Sequence, residues 1–163
     1  MDTMGMALEN HHEDELDKKI DITDDIMVDL FEGIIRSKRI TLTNVMTRDV
    51  TALDHTKTAH DAANIMMEKK IGSVIITAYG KPFGMITERD LMRLVAFLDI
   101  PAKSLILSFL ASRPLICASP TQTIQEASDI MGIHNIDHLP ILEQGKIVGM
   151  VTTRDLAKYL LCA

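Results

Sequence analysis

The 163-residue chain has no tryptophan, only 4% aromatic residues and two cysteines, Cys117 and Cys162. Two cysteines cannot build a disulfide framework, which excludes the small stapled secreted folds and fits a reducing compartment. Cys117 lies in an apolar run, where a buried inert thiol is the ordinary role. No apolar run approaches the roughly 18 residues of a membrane span, and the acidic start does not read as a signal peptide. The expectation is a cytoplasmic protein with no membrane partner. A basic surplus is missing too: 17 Lys and Arg face 23 Asp and Glu, for a net charge of −6. Residues 1–40 hold 11 acidic and 5 basic residues, whereas residues 41–163 hold 12 of each. A neutral body without a basic stripe disfavours nucleic acid as a partner. Catalytic signatures are also lacking: there is no phosphate-binding Gly-x-x-x-x-Gly-Lys-Ser/Thr loop, no Gly-x-Gly-x-x-Gly, no His-Glu-x-x-His and no cysteine pairs at zinc spacing. No enzyme activity, catalytic cofactor or metal is expected.

What the chain does contain is a repeat. Gly84-Met85-Ile86-Thr87-Glu88-Arg89-Asp90-Leu91 returns 65 residues later as Gly149-Met150-Val151-Thr152-Thr153-Arg154-Asp155-Leu156, identical at six of eight positions. Aligned without gaps, residues 45–98 and 110–163 share 16 of 54 pairs, where chance on average residue usage gives about three or four. This is an internal duplication. Apolar periodicity parses both copies alike. Short strands at 50–53 and 115–118 precede helices at 58–69 and 123–133. Strands at 73–78 and 82–86, and at 138–142 and 147–151, flank glycine turns, and second helices follow at 88–99 and 153–161. Each copy reads β-α-β-β-α, an α+β fold. A unit of this size buries too little surface alone, so two copies related by a pseudo-twofold axis are expected to share a core. The first repeat spans 42–100 and the second 103–163, with Pro101 at the joint and a short helix over 103–110.

Residues 1–22 are acidic and aperiodic, which predicts a disordered tail. Thr23 opens an amphipathic helix over 23–40, with Ile26, Met27, Leu30, Phe31, Ile34 and Ile35 on one face and acids early, bases late. His11-His12-Glu13 in the tail, and His134 with His138 at a strand entrance, do not read as metal sites.

In each repeated block a strand runs into a helix. Thr-x-x-Asp there is a helix cap: the Thr hydroxyl takes a free backbone N–H and the acid reaches back. The arginine is not explained by capping, because a cation in the first turn opposes the helix dipole. Free N–H groups, a hydroxyl and an arginine can hold an anion, and a nearby Asp can accept from ribose hydroxyls. Phosphate with ribose suggests a nucleotide; a plain cap remains the alternative.

Two β-α-β-β-α copies, each carrying Gly-h-h-Thr-x-x-Asp (h, hydrophobic), resemble a tandem pair of CBS domains, a Bateman module. His138-Leu139-Pro140-Ile141 is similar to that family's characteristic Leu-Pro-Val strand. The likeness covers roughly residues 42–163 and implies clefts between the repeats for adenine nucleotides (AMP, ADP or ATP) or S-adenosylmethionine. By this resemblance one cleft would use Thr87, Arg89 and Asp90, completed by the segment 112–116 and by Asp137 and His138. The other would use Thr152, Arg154 and Asp155, completed by Thr47, Val50, Thr51, Gly72 and Ser73. Val50, Thr51, Leu115 and Ile116 would contact the base. Asp137 would repel a phosphate, so the cleft containing Asp155 is the expected site. The resemblance also implies a stand-alone regulatory module acting on an unidentified protein. Leu91, Leu94, Val95, Leu98, Leu156, Tyr159 and Leu160 exceed the needs of an internal core, which predicts a homodimer face. An interaction scaffold without ligand binding is the alternative.

Overall fold

The computed structural model describes residues 40–97 and 100–161. The tail expected over 1–22 lies outside them, as does the helix expected over 23–40 apart from Ile40. In chain order the elements are α1 (Leu42–Val45), β1 (Ala52–Asp54), α2 (Ala59–Lys69), β2 (Ser73–Ala78), β3 (Lys81–Thr87) and α3 (Glu88–Phe97). After a 3-10 turn (Ala102–Ser104) come α4 (Leu107–Leu110), α5 (Ile124–His134), β4 (His138–Glu143), β5 (Lys146–Thr152) and α6 (Thr153–Leu161). The single helix expected over 103–110 is thus two short pieces joined at Leu105 and Ile106.

Local chemistry accounts for the elements. α2 and α5 start at Thr58 and Thr123, whose hydroxyls accept from the N–H of Asp61 and Glu126 at 3.2 Å each. Those two carboxylates accept the threonine N–H groups in return, at 2.9 and 2.7 Å, so each helix has a complete capping box. Both hairpins turn on two residues with positive φ, Tyr79-Gly80 and Gln144-Gly145, the twist that suits antiparallel strands. In each hairpin the register slips by one residue just before the repeated glycine, leaving Phe83 and Val148 unpaired. The duplication therefore extends to the bulges.

One expected strand does not form. β1 pairs parallel with β2, and Ile75 donates its N–H to Thr51 at 3.0 Å. The residue equivalent to Ile75 is Pro140, which has no N–H. The segment 115–118 accordingly keeps only an isolated bridge from Ala118 to Ile141.

Strand side chains alternate between two environments. Val74, Ile76 and Ile86 face one helix-covered core, and Leu139, Ile141 and Val151 face another. Ile75, Met85 and Met150 point the other way and meet between the repeats, with Val50, Leu115 and Ile147 around them. The shared core thus becomes two outer cores and a small central one. The lead segments cross between repeats. Leu42 of α1 is buried in the second repeat's core and Leu107 of α4 in the first repeat's. Backbone bonds fix the crossing: Leu42 and Thr43 donate to Gln122 and Pro120 at 2.8 and 3.0 Å, and Leu107 and Ser108 donate to Lys57 and His55 at 2.8 and 3.0 Å.

Of the side chains expected at a dimer face, Leu156 is buried in the second core and Leu91 packs against the first, because helices this short must spend their apolar stripe internally. Of the expected set Tyr159 on α6 is exposed (37%), and α3 exposes Met92 (73%) and Phe97 (83%). Val95, Leu98 and Leu160 fall outside the described side chains.

Leu107→Ala is expected to cost about 2–5 kcal/mol by emptying a fully buried site, whereas Phe109→Ala, two residues on and exposed, should change stability by less than about 0.5 kcal/mol. Urea unfolding of both variants checks this; equal effects would mean that the crossed segment is not part of the core.

Candidate functional site

β3 and β5 end at the repeated blocks. The N–H at the start of each following helix is taken up within its own repeat: Glu88 donates to Gly72 at 3.0 Å and Thr153 to Asp137 at 3.1 Å. Asp90 Oδ2 accepts from the Thr87 hydroxyl and N–H at 2.7 and 2.9 Å, and Asp155 Oδ2 accepts from Thr152 at 2.7 and 3.1 Å. The helix cap is therefore real, and it occupies one oxygen of each carboxylate. The other oxygen of Asp155 lies 3.6 Å from Lys158 Nζ, an exposed and weak pair.

The glycine that opens each block is needed for close approach. A Cβ at Gly84 would lie 2.9 Å from both Ala111 Cβ and the Ser112 carbonyl oxygen. One at Gly149 would collide with the Met46 side chain, including its Sδ. These contacts let Thr47 and Ser112 pair with Met150 and Met85 of the opposite hairpins. Each lead segment thus becomes the wall of a cleft.

Two cavities result, of about 460 Å³ beside Asp155 and about 530 Å³ beside Asp90. Thr47, Val50, Thr51, Gly72, Ser73, Thr152, Arg154 and Asp155 all line the first. Thr87, Arg89, Asp90, Asp137 and His138 line the second. Leu115 and Ile116, the other expected base contacts, line neither cavity. Leu115 belongs to the central apolar cluster and Ile116 packs against the second core, so both are used for packing. Ser112, from the expected segment 112–116, also lines the second cavity, and Asp49 lines the first; the lining residues that escaped the sequence reading include Lys70, Glu88, Arg93 and Asn135. The repeat itself held one signal. Lys70 and Asn135 are equivalent helix-ending residues, both left-handed at φ 54° and 51°, and each lines one cavity.

The clefts differ in charge. Arg89 Nη2 is 2.7 Å from Asp137 Oδ2 across the repeats. The equivalent of Asp137 is Gly72, and among the described residues Arg154 and Lys70 have no carboxylate partner. Gly72, Glu88, Asp137 and His138 line both cavities and form a common wall. His138 lies over Gly72, where a Cβ would come within 3.2 Å of Nε2. Burial pushes the His138 pKa below the ordinary imidazole value; Asp137, Glu88 and Asp155 oppose the shift and Arg89 adds to it. Among the described residues no group of three His, Cys, Asp or Glu could hold a metal, and no helix is long and apolar enough to cross a membrane.

Fold and clefts together define a tandem α+β module whose two repeats exchange their lead segments. The chain belongs to the CBS-domain family: the CBS domain model matches residues 42–96 and 107–162. It is 29% identical over 114 residues to the CBS domain-containing protein YhcV of Bacillus subtilis, covering 70% of this chain and 81% of that one. It is 34% identical over 121 residues to protein MK0525 of Methanopyrus kandleri, covering 73% of this chain and 62% of the relative. A conserved protein from Pyrococcus horikoshii superposes with a TM-score of 0.69 at 28% identity, covering 74% of this chain and 92% of that one. A CBS pair is generally a regulatory module.

His138 provides a pH test. Its depressed folded-state pKa means that the unfolded chain takes up the proton first, so stability is full above about pH 6.5 and falls as pH drops through the folded value. Urea midpoints at pH 7.5, 6.5 and 5.5 should fall more steeply for the wild type than for His138→Gln. Parallel profiles would show that the ring is not desolvated in the folded protein.

Proposed function

We propose that this chain is a non-catalytic sensor that binds an adenine nucleotide or S-adenosylmethionine in the cleft beside Asp155 and signals by a change in conformation or assembly. The observation that carries this reading is the convergence on one cavity of Arg154 and Lys70, both without a carboxylate partner among the described residues, with Asp155. The cations suit phosphate. The Asp155 oxygen outside the cap suits vicinal hydroxyls, and Val50, Ile71 and Met150 offer apolar surface to a base. Lys70 also holds a left-handed backbone that non-glycine residues seldom adopt, which keeps it at the cavity rim. Cytoplasmic location and an unidentified regulated protein complete the proposal.

The same reading includes a homodimer through the α3 face, supported by exposed Met92 and Phe97. Phe97→Asp is expected to shift the mass measured by light scattering from dimer to monomer; an unchanged mass would remove α3 from the interface.

Ligand binding is tested by a thermal-shift panel of AMP, ADP, ATP, S-adenosylmethionine and NAD. A ligand at 100 times its Kd adds about 2.7 kcal/mol, which raises Tm by several degrees for a protein of this size. The shift should disappear in Asp155→Ala and in Arg154→Ala. No shift with any compound would leave an interaction scaffold whose Thr and Asp serve as helix caps only.

A further inference from the structure

Asp137 is placed where it can make the two clefts depend on each other. It lines both cavities, together with Gly72, Glu88 and His138. Its carboxylate is held by Arg89, which belongs to the cleft beside Asp90, through a 2.7 Å contact that crosses from one repeat to the other. Both partners are about half exposed, and an ion pair of that kind is weak enough for a phosphate to displace.

We propose that Asp137 couples the clefts negatively, so that an anionic ligand beside Asp90 weakens the binding of an anion beside Asp155, and the reverse. With both clefts empty, Arg89 neutralises Asp137. A phosphate beside Asp90 competes for the guanidinium, because Arg89 and Arg93 are the cations lining that cavity. Once Arg89 turns to the phosphate, Asp137 stands uncompensated in the wall of the other cleft, where Lys70 and Arg154 would hold the second anion. The penalty must act equally in both directions, because a coupling free energy is shared by the two sites. The device has no symmetry-related counterpart. The positions equivalent to Asp137 and Glu88 are Gly72 and Thr153, neither of which carries a charge. The pseudo-twofold symmetry of the fold is thus broken at the joint between the clefts.

This inference rests on the nucleotide reading above, and the test separates the two. AMP is titrated by calorimetry into the full chain and into Asp137→Asn, which keeps an oxygen acceptor for Arg89 and removes the charge. For the wild type, either two steps differing by about fivefold or more or a single equivalent is expected. Asp137→Asn should narrow the gap at least threefold or reveal the missing second equivalent. Raising the salt should narrow the wild-type gap too, as charge coupling across an exposed wall is screened. Two equal and independent sites in the wild type would overturn the coupling while leaving the nucleotide site in place. So would a step ratio or stoichiometry that Asp137→Asn does not alter. No AMP binding to either protein would overturn the coupling, and both readings fall when ADP, ATP and S-adenosylmethionine also fail to bind.

Discussion

Leu42 is buried in the core of the second repeat, and Leu107 in the core of the first. This exchange is the constraint on which the rest of the structure depends. A repeat of this size cannot close its own hydrophobic core comfortably, and each borrows a short helix from the other to do so. The exchange draws residues 46–47 and 111–112 across the opposite hairpins, where Gly149 and Gly84 admit them. The clefts lie beside those crossings. Core formation and cleft formation are therefore one packing event, and the repeated glycine is as much a part of the site as the repeated aspartate.

The repeated Thr-x-x-Asp illustrates how a structural device and a binding device can share residues. In both copies the threonine and one carboxylate oxygen are used to start a helix. The cap fixes the carboxylate rotamer and leaves the second oxygen outside the cap. A rigidly held acceptor loses little entropy when a ligand arrives, which is the usual benefit of preorganisation. The cap and the proposed ribose contact are thus compatible roles of one side chain.

Symmetry supplies two clefts, and a few substitutions make them different. Gly72 against Asp137, Ser73 against His138, Glu88 against Thr153 and Lys70 against Asn135 all fall on the cavity walls. The cores change less in character: Ala62 and Met66 are matched by Ala127 and Met131. Burial penalises any change of volume in a close-packed interior, whereas a solvent-facing wall is free to diverge in charge. The joint between the clefts is where that divergence concentrates.

The sequence by itself determined the α+β class, the duplication, the order of the elements that do form in each copy, and the capped helix starts at the repeated Thr-x-x-Asp. The elements and caps follow from local spacing (an alternation of two, a helical period near four, or a cap three residues long), and the duplication from residue identity at a fixed offset of 65. Tertiary structure alone decided the exchange of α1 and α4, which joins residues about 50 to 80 positions apart by contacts no periodicity encodes. It also decided that Leu115 and Ile116 are used in packing. An apolar residue in an irregular segment reads equally well as cavity wall or as core until the neighbouring sheet is in place. The loss of the 115–118 strand depended on Pro140, which is visible in the sequence, but its partner was defined only once the strands were paired. The pairing of Arg89 with Asp137 likewise lies beyond local reading, because two charges 48 residues apart meet only when both repeats have folded and packed.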